Sequence, residues 1–145
     1  MKKIILNKSY GGFDVSKAAY KEYAKRLGLD LFTYDTDFVH DEDKTRVYYV
    51  KKDFDACAGI FTTYTTKDFG DRVLESQIDD EFVLYLDDKY REDELLIQIV
   101  EELGDKASGR FGDLKVVEIP DDVASDYMID DYDGFETLHK RVQEW

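Results

Sequence analysis

Apolar residues recur along this chain with three different spacings, and each predicts a different element. Ile4-Ile5-Leu6 is an unbroken run, the mark of a strand covered on both faces, and it predicts a strand over residues 2–8. Tyr20, Tyr23, Ala24 and Leu27 then share one helical face, predicting a helix over residues 16–27. Ser16 is placed to cap it, Val15 and Tyr20 form the apolar pair that brackets a helix start, and Gly28 closes it. A second amphipathic helix is predicted over residues 92–103, with Leu96, Ile99, Val100 and Leu103 on its buried face and Gly104 as its stop. Glu92, Asp93 and Glu94 give its first turn the sign that a helix dipole favours.

Between and after the helices, β-branched and aromatic residues predict strands over 29–35, 46–51, 58–66, 82–86 and 114–119, the last ended by Pro120. Asp41 to Lys44 and Asp87-Asp88 read as surface turns. Tyr127-Met128-Ile129 opens a final element, and Asp133-Gly134 is a strong hairpin-turn pair. The tail stays ambiguous: Leu138, Val142 and Trp145 fit a helix, whereas strand alternation sets Leu138 and Val142 against Phe135 and His139. The expected fold is of the α/β (α+β) class. It is a single-domain sandwich over residues 1–145, with a mixed β-sheet flanked by two main helices and with residues 4–6 and 116–119 as interior strands.

Composition adds limits. A chain of 145 residues with 43% hydrophobic content can bury a real core, and its net charge of −14 disfavours direct binding to nucleic acid. The charge is uneven. Residues 1–27 hold seven Lys and Arg against Asp14 and Glu22, and residues 113–136 hold nine acids against Lys115. That polarity can steer a small anion to one end of the molecule, although a solvated helix face and an acidic loop explain it as well. No run approaches the roughly 18 apolar residues of a membrane span, and Met1-Lys2-Lys3 leads into no signal-peptide core. The expectation is a cytoplasmic chain with no membrane association. Cys57 is the only cysteine, so no internal disulfide forms.

Candidate chemistry is sparse. Asn7-Lys8-Ser9-Tyr10-Gly11-Gly12-Phe13, between a strand and a helix opening at Ser16, could turn glycine N–H groups toward an anion, with Lys8 adding charge and Tyr10 a stacking face. It matches neither phosphate-loop fingerprint, and a tight connection needs the same glycines. Lys106, Ser108 and Arg110 make a second anion-capable loop after Gly104. Asp133 and Glu136 belong to an acidic stretch, residues 121–136, whose spacing fails as a calcium loop. His40, His139 and Cys57 share no zinc spacing, and neither histidine sits in a nucleophile motif. Cys57 reads as a small buried apolar group. No catalytic residue, metal or cofactor is assigned, and the inventory leans away from an enzyme.

Three segments together resemble a family of small phage and prophage proteins. They are residues 7–13 with Ser16; Val100 to Gly109 running into Leu114 to Val123; and Tyr132-Asp133-Gly134-Phe135-Glu136 with the closing Trp145. Relatives often carry Cys where this chain has Ser9 and His where it has Val142, and a binding role survives such swaps more easily than a catalytic one. The resemblance implies an accessory protein that counteracts a host defence in the host cytoplasm. The favoured form is a binder that sequesters a nucleotide-derived signal without turnover. Its site would be a pocket where the three segments meet, lined by Lys8, Tyr10, Lys106, Arg110 and an acid such as Asp133. Two alternatives stand beside it: an acidic inhibitor or DNA mimic of a host defence protein, and, more weakly, an enzyme degrading a nucleotide with Asp130, Asp131 and Glu136. Self-association into a homo-oligomer is left open.

Overall fold

A computed structural model describes residues 1–57 and 61–140 of the chain. In order, the elements are β1 (Lys2–Asn7), α1 (Lys17–Arg26), β2 (Phe32–Asp41), β3 (Lys44–Lys52), β4 (Thr62–Thr65), β5 (Arg72–Leu74), β6 (Val83–Leu84), α2 (Glu94–Leu103), β7 (Leu114–Ile119), α3 (Asp121–Ala124), β8 (Tyr127–Tyr132) and β9 (Phe135–Lys140). The class is α+β. The strand pairings among the described residues are all antiparallel, which corrects the expected mixed sheet. Short turns join β2 to β3 and β8 to β9, and a two-residue hairpin reverses the chain by construction. No helix of the described residues is long and apolar enough to cross a membrane. The chain divides into two compact units, Met1–Tyr23 with Leu86–Trp145 and Ala24–Tyr85.

The second unit is a five-stranded sheet ordered β5-β3-β2-β4-β6. Tyr34 is fully buried within it; its hydroxyl donates to the Gly70 carbonyl at 3.0 Å and accepts the Phe69 N–H at 3.0 Å. The end of α1 shows why β2 starts at Phe32 rather than at residue 29. Gly28 takes φ +68°, its N–H reaches the Lys25 carbonyl (3.1 Å), and Leu29 N–H reaches back to Ala24 (2.9 Å). Leu29 is thus spent on closing the helix by a Schellman motif. β4 carries part of the expected strand over 58–66; residues 58–60 lie outside the described residues.

In the first unit β1 and β7 form a two-stranded ladder with Ile5 opposite Val116. Ile4, Leu6 and Ile119 form a core cluster, against which Val123, Ile129 and Leu138 pack, and α2 packs on both strands. Neither apolar strand is therefore interior in the hydrogen-bonding sense, a correction to the expectation, yet Ile4 and Ile5 are fully buried. The reason is what meets the second edge of β1. Ile5 N–H donates to the Arg91 carbonyl (2.9 Å), Arg91 Nη1 donates to the Ile5 carbonyl (3.1 Å), and Asn7 N–H donates to Glu136 Oε1 (2.8 Å). Arg91 and Glu136 then grip each other at 3.0 and 2.8 Å, with side chains only 12% and 4% exposed. Side chains do the work of a third strand.

Breaking a buried pair of this kind strands a charge, which typically costs about 3–5 kcal/mol. Glu136→Ala is expected to destabilise the chain on that scale in urea denaturation. Arg91→Met combined with Glu136→Leu should recover part of the loss, the remainder being the Asn7 N–H left without an acceptor and the Ile5 carbonyl left without the guanidinium donor. A loss of under about 1 kcal/mol for Glu136→Ala, the range of an exposed pair, would mean that water screens the pair.

Candidate functional site

The three segments singled out in the sequence do meet, at one end of the first unit. Ser16 is the cap that starts α1: its Oγ accepts the Ala19 N–H (3.2 Å) and donates to the Lys106 carbonyl (2.6 Å), and its own N–H reaches the Ala107 carbonyl. Ser9 Oγ donates to the Phe111 carbonyl at 2.6 Å. At the hairpin, Tyr132 pairs with Phe135 across Asp133 (φ +51°) and Gly134 (φ +92°), a turn whose positive φ angles match the strand twist. This turn lies against the N-terminal loop, since a Cβ on Gly134 would stand 2.3 Å from the Gly12 nitrogen.

The glycines therefore serve close approach. A Cβ on Gly11 would fall 2.0 Å from the Phe111 carbonyl oxygen, and one on Gly109 would fall 2.3 Å from the Asp14 carboxylate. Gly11 N–H reaches Ser9 Oγ at 3.4 Å. Asn7 is fully buried with its amide saturated. Nδ2 donates to Ser9 (2.9 Å) and Gly134 (2.6 Å) carbonyls, while Oδ1 accepts Asp113 N–H (2.8 Å). Phe13 lies under the Arg91 guanidinium, 5.7 Å from ring centre to Cζ, and Ser108 Oγ accepts the Leu114 N–H. Asn7, Gly12, Phe13, Ser16, Ser108 and Glu136 thus build the floor of this end, and Gly11, itself exposed, lies close against the Phe111 backbone.

What faces outward is different. Tyr10 is 68% and Tyr132 is 72% exposed, their rings meet edge-on at 6.4 Å, and Tyr10 lies 5.5 Å from Phe135 at a 31° tilt. Lys8 is half-buried. Its Nζ lies 5.1 Å from the Phe135 ring centre and donates to the Glu136 carbonyl at 2.7 Å. Among the described residues no carboxylate pairs with it. Arg110 and Phe111 are exposed and stacked, with the guanidinium carbon 5.8 Å from the ring centre, and Lys106 and Asp133 are exposed at the same loops. Two clefts, of about 410 and 450 Å³, are lined by none of the residues assigned to the site from the sequence.

Five residues at this end had no site role from the sequence: Arg91, Asp14, Tyr132, Phe135 and Phe111. Only the last three left a signal, aromatic residues beside glycine turns. The remaining candidates make other contacts. His40 is exposed beside Thr45 Oγ1, and His139 is exposed, 3.0 Å from Asp130. Cys57 is buried in the second unit, where its thiol donates to the Phe54 carbonyl. Among the described residues no cluster of three or more His, Cys, Asp or Glu is placed to hold a metal ion. Val142 and Trp145 lie outside the described residues; up to Lys140 the ambiguous tail is a strand.

The close approaches make a graded prediction. Gly11→Ala and Gly134→Ala drive a Cβ into backbone and should each cost about 2–4 kcal/mol. Gly28→Ala meets only the strain of a positive φ, with nothing within 4 Å of the new Cβ, and should cost about 1 kcal/mol. Thermal melts of the three variants check the order; equal losses would mean that the loops yield to the added methyl. Compared with known proteins, the chain matches no family model, no curated protein and no solved structure.

Proposed function

We propose that the loop end of the first unit binds a small anion bearing a flat ring, a nucleotide-derived signalling molecule, and sequesters it without turnover. The observation that carries this reading is Lys8. A half-buried ammonium whose partners among the described residues are a backbone carbonyl and a ring, in a chain of net charge −14, keeps a charge that an anion can meet. Exposed Tyr10 and Tyr132 supply ring faces next to it, and Arg110 adds a guanidinium suited to phosphate oxygens. The floor beneath is saturated with internal hydrogen bonds, so little of it must reorganise when a ligand arrives.

In this reading the chain is a phage-type accessory protein that works in the host cytoplasm and blunts a defence by holding its signal. That role follows from the resemblance to phage and prophage proteins, whereas the ligand class follows from Lys8 and the aromatic rings. Removing a signal by binding requires no nucleophile or metal, only affinity and enough copies of the protein.

Thermal-shift screening against cyclic nucleotides and ADP-ribose derivatives is expected to find a stabilising ligand. In isothermal titration Lys8→Met should weaken it about tenfold or more, because a charge-assisted contact to phosphate is worth about 1.5–3 kcal/mol. Tyr10→Ala should weaken it comparably through lost stacking, and Tyr10→Phe should preserve it. Affinity unchanged in both Lys8→Met and Tyr10→Ala would remove the ligand from this end.

A further inference from the structure

Among the described residues β7 has one ladder partner, β1, and its other edge has none. Lys8 N–H donates to the Asp113 carbonyl, which sets the phase of the ladder: Lys115, Val117 and Ile119 bond toward β1, and Leu114, Val116 and Glu118 direct their backbone groups outward. Leu114 N–H is satisfied by Ser108 Oγ at 2.8 Å. Among the described residues nothing pairs with the N–H and C=O groups of Val116 and Glu118. An unpaired edge of this kind is a template for another strand.

Beside that edge lies the cleft of about 450 Å³, between the C-terminal end of α2 and β7, with Val100, Leu114 and Val116 as its apolar wall. It shares Lys3 and Glu101 with the neighbouring cleft of about 410 Å³. Those two side chains form an ion pair at 3.0 Å, 43% and 41% exposed, and exposed pairs hold their geometry weakly. The cations along both clefts are already engaged: Lys2 with Glu92, Lys3 with Glu101, and Lys115 with Asp105 and Asp113. Glu94 and Glu118 have no basic partner among the described residues. The groove therefore presents the half-buried Val116 over the buried Val100 and Leu114, open backbone groups and uncompensated negative charge together.

We infer that the outer edge of β7, with the groove beside it, docks an extended cationic segment of a partner protein that adds to β7 as a further strand. Backbone bonds to Val116 and Glu118 supply the attachment, an apolar side chain enters beside Val100 and Val116, and a basic side chain meets Glu118. A second copy of this chain fits less well, because it would bring another −14 charges to the same surface.

The test adds a capped Lys-Val-Lys-Val-Lys peptide to the full chain and follows backbone amides by NMR. The expected result is shifted and exchange-protected amides at Val116 and Glu118, binding that weakens as salt rises, and no comparable binding of Glu-Val-Glu-Val-Glu. Val116→Pro removes an outward N–H without touching the bonds to β1, and should weaken the peptide about tenfold or more. Protected Ile4 and Leu6 amides in that variant confirm an intact ladder, and Glu118→Lys carries the test should it fail to fold. The inference is overturned if the peptide leaves β7 unperturbed, binds both variants as tightly as the parent, or is matched by its acidic counterpart. It is equally overturned if the chain dimerises through β7.

Discussion

The first unit depends on the grip between Arg91 and Glu136. A two-stranded ladder in water is marginal because one edge of each strand stays unpaired. Here the edge of the more apolar strand is capped from outside the sheet. Arg91 contributes its own carbonyl and one guanidinium nitrogen, and Glu136 contributes a carboxylate oxygen, so Ile5 and Asn7 keep hydrogen bonds while fully buried. An isolated buried ion pair is often no better than an apolar pair of the same shape. This one is different in kind, because both partners also satisfy backbone groups that an apolar replacement would leave bare. Burial pulls the Arg91 pKa down and the bidentate carboxylate more than offsets it, so the guanidinium stays charged.

The same carboxylate fixes the outer surface of the loop end. Glu136 is the residue after Phe135, and its backbone carbonyl receives Lys8 Nζ. Holding Glu136 therefore sets the height of the Phe135 ring, against which both Lys8 and Tyr10 lie. Asn7 performs the matching task from the other segment, joining the Gly134 carbonyl to the Asp113 N–H. Three stretches far apart in sequence are locked by one saturated amide, one buried carboxylate and glycines that allow backbone to approach backbone.

Much of this was legible locally and little of it globally. Ser16 as a cap, Gly28 and Gly104 as helix ends, the Asp133-Gly134 turn and the strand stopped by Pro120 depend on chemistry within a few residues, and all are where the sequence puts them. The failures are long-range. An apolar run such as Ile4-Ile5-Leu6 reports burial on both faces and says nothing of what lies at its edges, so interior strands were expected where side chains finish the sheet. Glu136 was legible only as one more acid in an acidic stretch, because its partner lies 45 residues away and Arg91 has no distinguishing neighbours. Gly11-Gly12 was ambiguous for a physical reason: a backbone able to cradle an anion is also one able to accept another backbone, and only the position of Phe111 and Gly134 separates the two.

That separation bears on how an acidic protein could hold an anion at all. At physiological ionic strength exposed charges are screened beyond about 8 Å, so the net −14 is weak at long range, and the few groups nearest the ligand decide the local field. Lys8 lies on one ring, that of Phe135, and the backbone carbonyl it touches removes none of its charge. The Asp and Glu side chains nearest this end are largely occupied: Glu136 by Arg91, Asp14 by the Phe111 N–H, Asp131 by the Gly134 N–H. Of these only Glu136 has its charge offset, by the Arg91 guanidinium; the backbone N–H groups fix Asp14 and Asp131 in place and leave their charge. On the proposed reading the contact with Lys8 itself, at a place fixed by the stiffened loops, would then carry the affinity, and the net charge of the chain would not.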